Sequence, residues 1–228
     1  MELFIEHFIT KGGYKVALQG LLVTVEIAIF GLIIGILLGT LIAIVRVMPK
    51  YRRLPKVLDV ICSIYVGFFR GTPMVVQLLV GYYVLFPAMG IRLDGVVVAI
   101  LIFGLNSAAY VSEMMRSGIQ SVDIGQLEAA RALGMPYGTA MLKIVIPQSI
   151  KNILPTLGNE FIMLIKDTSI VSFIAVVDIT KAFRQIGDAT YEYVIPYLFL
   201  ALVYLIIIIG ITLLIRLMER RLKKSERK

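Results

Sequence analysis

Charged residues along the chain are gathered into short stretches, and the sequence between them is almost continuously apolar. Residues 17–45 carry one charge, Glu26, and the final nineteen of them carry none. Residues 60–91 are interrupted only by Arg70, and residues 95–112 are eighteen uncharged positions. Residues 193–215 are twenty-three more, with Ile206, Ile207, Ile208 and Ile209 in a row. Residues 152–177 are apolar but hold Glu160, Lys166 and Asp167. A run of this length reads as a transmembrane helix, because a helix satisfies its own backbone inside hydrocarbon. The pattern predicts an all-α, polytopic membrane protein with five transmembrane helices, forming a single transmembrane domain over residues 1–228.

Lys and Arg are unevenly shared between the connections, and cytoplasmic loops carry the excess. Segment 46–56 has five (Arg46, Lys50, Arg52, Arg53, Lys56), segment 116–151 has four, and segment 216–228 has seven. These alternate connections hold sixteen, against five (Lys11, Lys15, Arg92, Lys181, Arg184) on the opposite side. The expectation is an N-terminus outside and a C-terminus in the cytoplasm. Composition agrees: 59% of residues are hydrophobic and 17% charged, with a mean hydropathy of +0.90. A soluble domain has about 45–50% and about 25%, so a soluble enzyme, a disordered chain and a disulfide scaffold are excluded. The net charge of +8 is then mostly the topology signal, and nucleic acid need not be invoked. With one cysteine, Cys62, and one histidine, His7, there is no material for an internal disulfide, a zinc-type cysteine cluster or a Ser–His pair. No catalytic residue and no metal site are expected.

Smaller features read as structural. Gly31, Gly35 and Gly39 recur every fourth residue, which puts small residues on one helix face for close packing in lipid. Val80-Gly81-Tyr82-Tyr83 lacks the order of a potassium filter and sits in an ordinary span. The start, Met1-Glu2-Leu3-Phe4-Ile5-Glu6, is acidic rather than basic, unlike a cleavable signal peptide. Residues 1–16 mix Phe4, Ile5, Phe8 and Ile9 with charges. Two readings fit them: a segment lying flat on the outer membrane surface, or a plain lead-in.

The long connection is 117–151, and long structured loops are often functional. Asp123 can cap a helix, with Gln126 three residues later as in a capping box. Gly134 and Pro136 stop it, giving about ten residues and a length of roughly 15 Å. Ala129, Ala130 and Ala132 leave a low-profile surface. It suits either a partner's groove or a helix resting against the membrane.

Glu128-Ala129-Ala130, Gly134 after three intervening residues, and Ile144-Val145-Ile146-Pro147 after nine more resemble the EAA loop of bacterial ABC importer permeases. That loop usually ends Ile-x-Leu-Pro, and Ile146 replaces the Leu. Arg70-Gly71-Thr72-Pro73, Asn159-Glu160-Phe161 and Lys166-Asp167-Thr168-Ser169 resemble the polar amino acid branch, with its histidine-, arginine- and glutamine-type permeases. The likeness covers nearly the whole chain. It implies a type I importer core in a prokaryotic cytoplasmic (inner) membrane, paired with a second permease subunit, identical or a paralogue. It also implies two ATPase subunits docked through Glu128, Ala129, Ala130, Gly134 and Pro147, and an external solute-binding protein. ATP and Mg would bind on the partner subunits. No Gly-x-x-x-x-Gly-Lys-[Ser/Thr] phosphate loop occurs in the chain, so it is read as a non-enzyme with no cofactor of its own.

An ionisable group inside a span costs roughly 2.5–3.5 kcal/mol on insertion scales and is a functional candidate by default. At 1.5 Å per residue, Arg70 lies roughly 15 Å into its span, Asn106 about 17 Å and Glu160 about 12 Å, all near the midplane of a core about 30 Å thick. Asp167 follows Glu160 by seven residues on the same face. Pro73 should break its span and leave half-helix ends for charged solute groups. The proposed solute residues are Glu160, Arg70, Gly71, Thr72, Asn106 and Asp167. The plainer alternative is an Arg70–Glu160 or Lys166–Asp167 pair joining helices. Glu26 and Glu113 are assigned to packing or an interface. The resulting expectation is the permease of an ATP-driven importer of polar amino acids, basic ones foremost. The rivals are a glutamine or other polar amino acid permease, and an ion-coupled carrier.

Overall fold

The computed structural model describes residues 2–51 and 53–225. Its main helices are α1 (Gly13–Val47), α2 (Arg53–Gly71), α3 (Met74–Val80), α4 (Gly95–Gln120), α5 (Ile124–Ala132), α6 (Ile146–Asp167), α7 (Ile179–Thr190) and α8 (Val194–Ser225). A π-helical turn, Gly81–Leu85, extends α3 to Phe86–Ala88, and a 3-10 turn, Thr168–Ile174, extends α6. Among the described residues the chain contains helix and no strand, as the apolar pattern predicts.

The span count differs in detail from the predicted five. Three helices are long and apolar enough to cross a membrane: Gly13–Val47, Gly95–Gln120 and Val194–Arg221. A fourth is reached if Arg53–Gly71 and Met74–Ala88 act as one span, although they bend by 106°. The predicted span at 152–177 lies in α6, whose 22 residues reach about 33 Å. Its polar residues keep it outside that apolar set, and their use is internal, as the site shows.

α1 and α4 make the most extensive helix contact in the chain, and the glycine stripe lies in it. A Cβ on Gly35 would stand 2.6 Å from Ser107 Oγ, and one on Gly39 would stand 2.8 Å from Val111 Cβ. At the end of the same pair, Arg46 of α1 is ion-paired with Glu113 of α4, which also holds Arg116 at 2.8 Å. Glu113 is therefore a packing residue, while Glu26 is exposed on α1. The main core gathers Ile27 and Ala28, Leu78, Ile102 and Phe103, and Leu164 and Ile165.

A second cluster closes the opposite end. α7 turns Ile179, Phe183 and Ile186 inward beside Phe4, Ala17 and Leu200. The Phe4 ring lies 4.8 Å from Phe199 and 5.3 Å from Phe8, and Phe8 lies 6.0 Å from Phe183. The aromatic rings of the N-terminal segment anchor it to α7 and α8. Asp178 caps α7, accepting from Thr180 N and Lys181 N at 3.0 Å each.

The folding also sorts the charges. Arg46 and Lys50 meet Glu113 and Asp59, and Met218 and Glu219 near the end of α8 lie beside Leu154 and Pro155. The basic segments at 46–56, 116–151 and 216–221 therefore share one end, while Arg52 and the side chains of residues 222–228 lie outside what is described. Gly20 sits against the Asp178 carbonyl, so Lys11, Lys15 and Lys181 belong to the other end.

Gly35→Leu should force α1 off α4 and lower stability by roughly 1–3 kcal/mol, the usual cost of overpacking. The thermal midpoint of the detergent-purified protein checks this. Gly210→Ala is the control, since a Cβ there meets nothing within 4 Å, and equal midpoints for the two variants would contradict the packing account.

Candidate functional site

The break between α2 and α3 begins with a missing proton. In a helix the Phe69 carbonyl would accept from the amide of residue 73, and Pro73 has none. Two side chains supply the donors: Gln77 Nε2 donates to Phe69 O at 2.8 Å, and Asn106 Nδ2 of α4 donates to the same oxygen at 3.3 Å. Gln77 Nε2 also donates to Thr72 O at 3.0 Å and Thr72 Oγ1 at 2.8 Å, while Thr72 Oγ1 donates to Phe68 O at 2.8 Å. Asn106 Nδ2 makes a second bond to Gln77 Oε1 at 2.9 Å. No side chain caps the new helix behind Pro73.

Beside this brace is a pocket of about 70 Å³ lined by Thr72, Met74, Asn106, Tyr110, Glu160, Met163, Leu164 and Asp167. Four residues picked out in the sequence therefore meet, although the α2–α3 break, α4 and α6 carry them separately. Glu160 is 4% exposed and its Oε1 accepts from Ser107 Oγ at 2.8 Å. The glycine stripe matters here, because it places Ser107 between α1 and the carboxylate.

Arg70 and Gly71 are not among the lining residues. The Arg70 guanidinium lies 5.4 Å from the ring centroid of Tyr110, which does line the pocket. Gly71 lies at the break, and a Cβ there would meet nothing within 4 Å. Among the described residues neither an Arg70–Glu160 nor a Lys166–Asp167 ion pair forms, so the helix-joining alternative has no support.

Apart from the Tyr110 hydroxyl, the arrangement is chemically one-sided. The Asn106 amide protons, the Ser107 hydroxyl and the Thr72 hydroxyl are already donated to protein acceptors. What they leave is acceptor capacity: the second oxygen of Glu160, the Asp167 carboxylate and Asn106 Oδ1. Such a set suits an ammonium or guanidinium group. Among the described residues no three His, Cys, Asp or Glu side chains gather to hold a metal.

The long connection forms the expected helix. Asp123 Oδ1 accepts from Gly125 N at 2.8 Å, and the helix spans nine residues, Ile124–Ala132. It ends in a paired cap: Met135 N bonds Ala130 O at 3.1 Å and Gly134 N bonds Arg131 O at 3.0 Å. Gly134 has φ of 82°, left-handed backbone that favours glycine. Glu128, Ala129, Gly134 and Pro147 are exposed. Ala130 differs from the expectation of a contact surface: it is 2% exposed, because it faces the chain and seats the helix.

Sequence reasoning passed over Gln77, Ser107 and Tyr110. The available signal for Gln77 was an amide four residues after a mid-span proline, within reach of the carbonyls that the break frees. Ser107 and Tyr110 carried no signal, because their role depends on which helix faces them.

The sequence pattern of the family described as binding-protein-dependent transport system inner membrane component matches residues 24–224. The chain is similar to the arginine transport system permease protein ArtQ of Bacillus subtilis, at 38% identity over 92% of this chain and 93% of that one. It is also similar to the putative glutamine transport system permease protein GlnP of Rickettsia bellii, at 36% identity over 90% and 91%. Its backbone matches a chain of an amino acid ABC transporter crystallised with histidines, with a TM-score of 0.85 and 38% identity over 94% of this chain and 98% of that one. The inward-facing MetNI methionine transporter shares the fold, with a TM-score of 0.71 at 16% identity over 93% and 96%.

Proposed function

Because the chain belongs to the family of binding-protein-dependent transport system inner membrane components, we propose that it is the permease subunit of an ATP-driven importer of polar amino acids, basic ones foremost. The observation that carries the solute reading is the acceptor-rich pocket in which Thr72, Asn106, Glu160 and Asp167 converge. Glu160 and Asp167 take the solute's cationic group, and Arg70, beside Tyr110, takes its carboxylate. The arginine permease of Bacillus subtilis, 38% identical, supports a basic solute. A neutral polar solute is the second reading, favoured by the 36% identical glutamine-type relative, whose solute would offer its α-ammonium to the same carboxylates.

The rest of the machine follows from family membership. An extracytoplasmic solute-binding protein delivers the amino acid, a second permease subunit completes the pathway, and two ATPase subunits dock on α5 and bind ATP with Mg. Their closure moves the α5 helices and turns the pocket outward, and nucleotide release returns it inward, a two-state equilibrium biased by a ligand bound elsewhere. The complex sits in a prokaryotic inner membrane. The basic segments gathered at one end of the fold support a cytoplasmic C-terminus and an external N-terminus.

Three outcomes test this. Glu160→Gln keeps the size and deletes the charge. A charge-assisted hydrogen bond contributes about 1.5–3 kcal/mol, so uptake affinity for basic amino acids should fall roughly 10- to 150-fold. Uptake of arginine, histidine and glutamine, normalised to assembled complex, measures it. Unchanged uptake of all three removes the binding role, and a uniform loss removes the preference for basic solutes.

Gly134→Asp should abolish solute-stimulated ATPase activity and uptake while leaving membrane insertion intact, because left-handed backbone and added charge misshape the end of α5. Normal coupling in that variant would defeat the docking assignment.

In a Cys62→Ser background, a cysteine at position 53 should be shielded from an impermeant thiol reagent outside intact cells, and one at position 188 should react. Labelling of position 53 from outside would reverse the orientation.

A further inference from the structure

Gln77 does more than close the break. Its side chain is buried at 7% exposure, and its amide nitrogen is spent on Phe69 O, Thr72 O and Thr72 Oγ1. Two of these are carbonyl oxygens, which only accept, so the Gln77 amide cannot be turned around. Its Oε1 is therefore held as the acceptor for Asn106 Nδ2. Asn106 Nδ2 in turn meets Phe69 O, so turning the Asn106 amide would set oxygen against oxygen at both contacts. The polar atom of Asn106 left unengaged in the pocket lining is Oδ1.

We propose that Gln77 is a positioning residue for solute selectivity: by fixing the Asn106 amide, it keeps an acceptor rather than a donor turned to the solute and so favours a cationic group. Gln77 itself does not line the pocket and acts through Asn106. The proposal rests on the reading of the Thr72–Asn106–Glu160–Asp167 pocket as the solute site. It adds that the preference for cations is set partly from the broken helix and not by the carboxylates alone.

The test compares Gln77→Met with Gln77→Glu in the full transport complex, reading the ratio of arginine to glutamine uptake per assembled complex. Met keeps the length but makes no amide bonds, which leaves the 3.3 Å contact with Phe69 O as the one remaining hold on the Asn106 amide. Its ratio should fall roughly five- to tenfold, the equivalent of one hydrogen bond. Glu retains an acceptor for Asn106 Nδ2 and should keep the ratio near that of the unsubstituted protein, even if total uptake drops. In an Asn106→Leu background, whose own ratio should already be lowered, Gln77→Met should add no further change, since the two act as one unit.

An unchanged ratio in Gln77→Met, an equal loss of both solutes in both variants, or no assembled complex from either would overturn the proposal. Should only Gln77→Met fail to assemble, Asn106→Leu decides alone, and an unchanged ratio there overturns it. Glu160→Gln run in parallel separates the two levels. If it leaves uptake of both solutes untouched, the pocket reading falls and takes this proposal with it. If it impairs arginine while Gln77→Met does not, only the role of Gln77 falls.

Discussion

The Phe69 carbonyl has no amide proton to accept within its own helix, because Pro73 stands four residues later. Water cannot make good that loss inside hydrocarbon, where an unsatisfied backbone group costs several kcal/mol. Gln77 and Asn106 supply the donors, and in doing so they tie α2, α3 and α4 to one point. The 106° bend between Arg53–Gly71 and Met74–Ala88 is thereby a held conformation rather than a loose joint. The pocket lies beside it because Thr72 and Asn106, which serve the brace, also form its wall.

The glycine stripe performs the complementary task. Gly31, Gly35 and Gly39 bring α1 onto α4 closely enough that a Cβ at Gly35 or Gly39 would stand under 3.0 Å from its neighbours. This contact fixes Ser107, whose hydroxyl bonds Glu160. The Arg46–Glu113–Arg116 cluster holds the end of the same helix pair. A buried carboxylate is tolerated where its partners are positioned in advance, and this frame positions them.

α5 joins the two helices that carry most of the pocket. Fourteen residues separate Asn106 from Gln120 at the end of α4, and fourteen separate Ile146 at the start of α6 from Glu160, about 21 Å in each case. Residues 121–123 join α5 to α4, and on the other side a short helix, Tyr137–Ala140, and a π-helical turn, Met141–Val145, lie between α5 and α6. Gly134, with φ of 82°, gives α5 a sharp stop.

The sequence alone determined the all-helical class, the cap at Asp123 and the stop at Gly134, because these depend on composition and on neighbours within a few residues. Helical rise converts residue number into height, so a common depth for Arg70, Asn106 and Glu160 could be expected from the sequence. Depth does not give azimuth. Only the tertiary structure decided that Asn106 spends its amide protons on the Phe69 carbonyl and Gln77, that Arg70 lies over Tyr110 instead of pairing with Glu160, and that Ala130 faces inward. It also decided that Phe4 and Phe8 dock on Phe199 and Phe183. Each of these depends on how one helix is rotated against another, which is set by close packing between residues far apart in the chain.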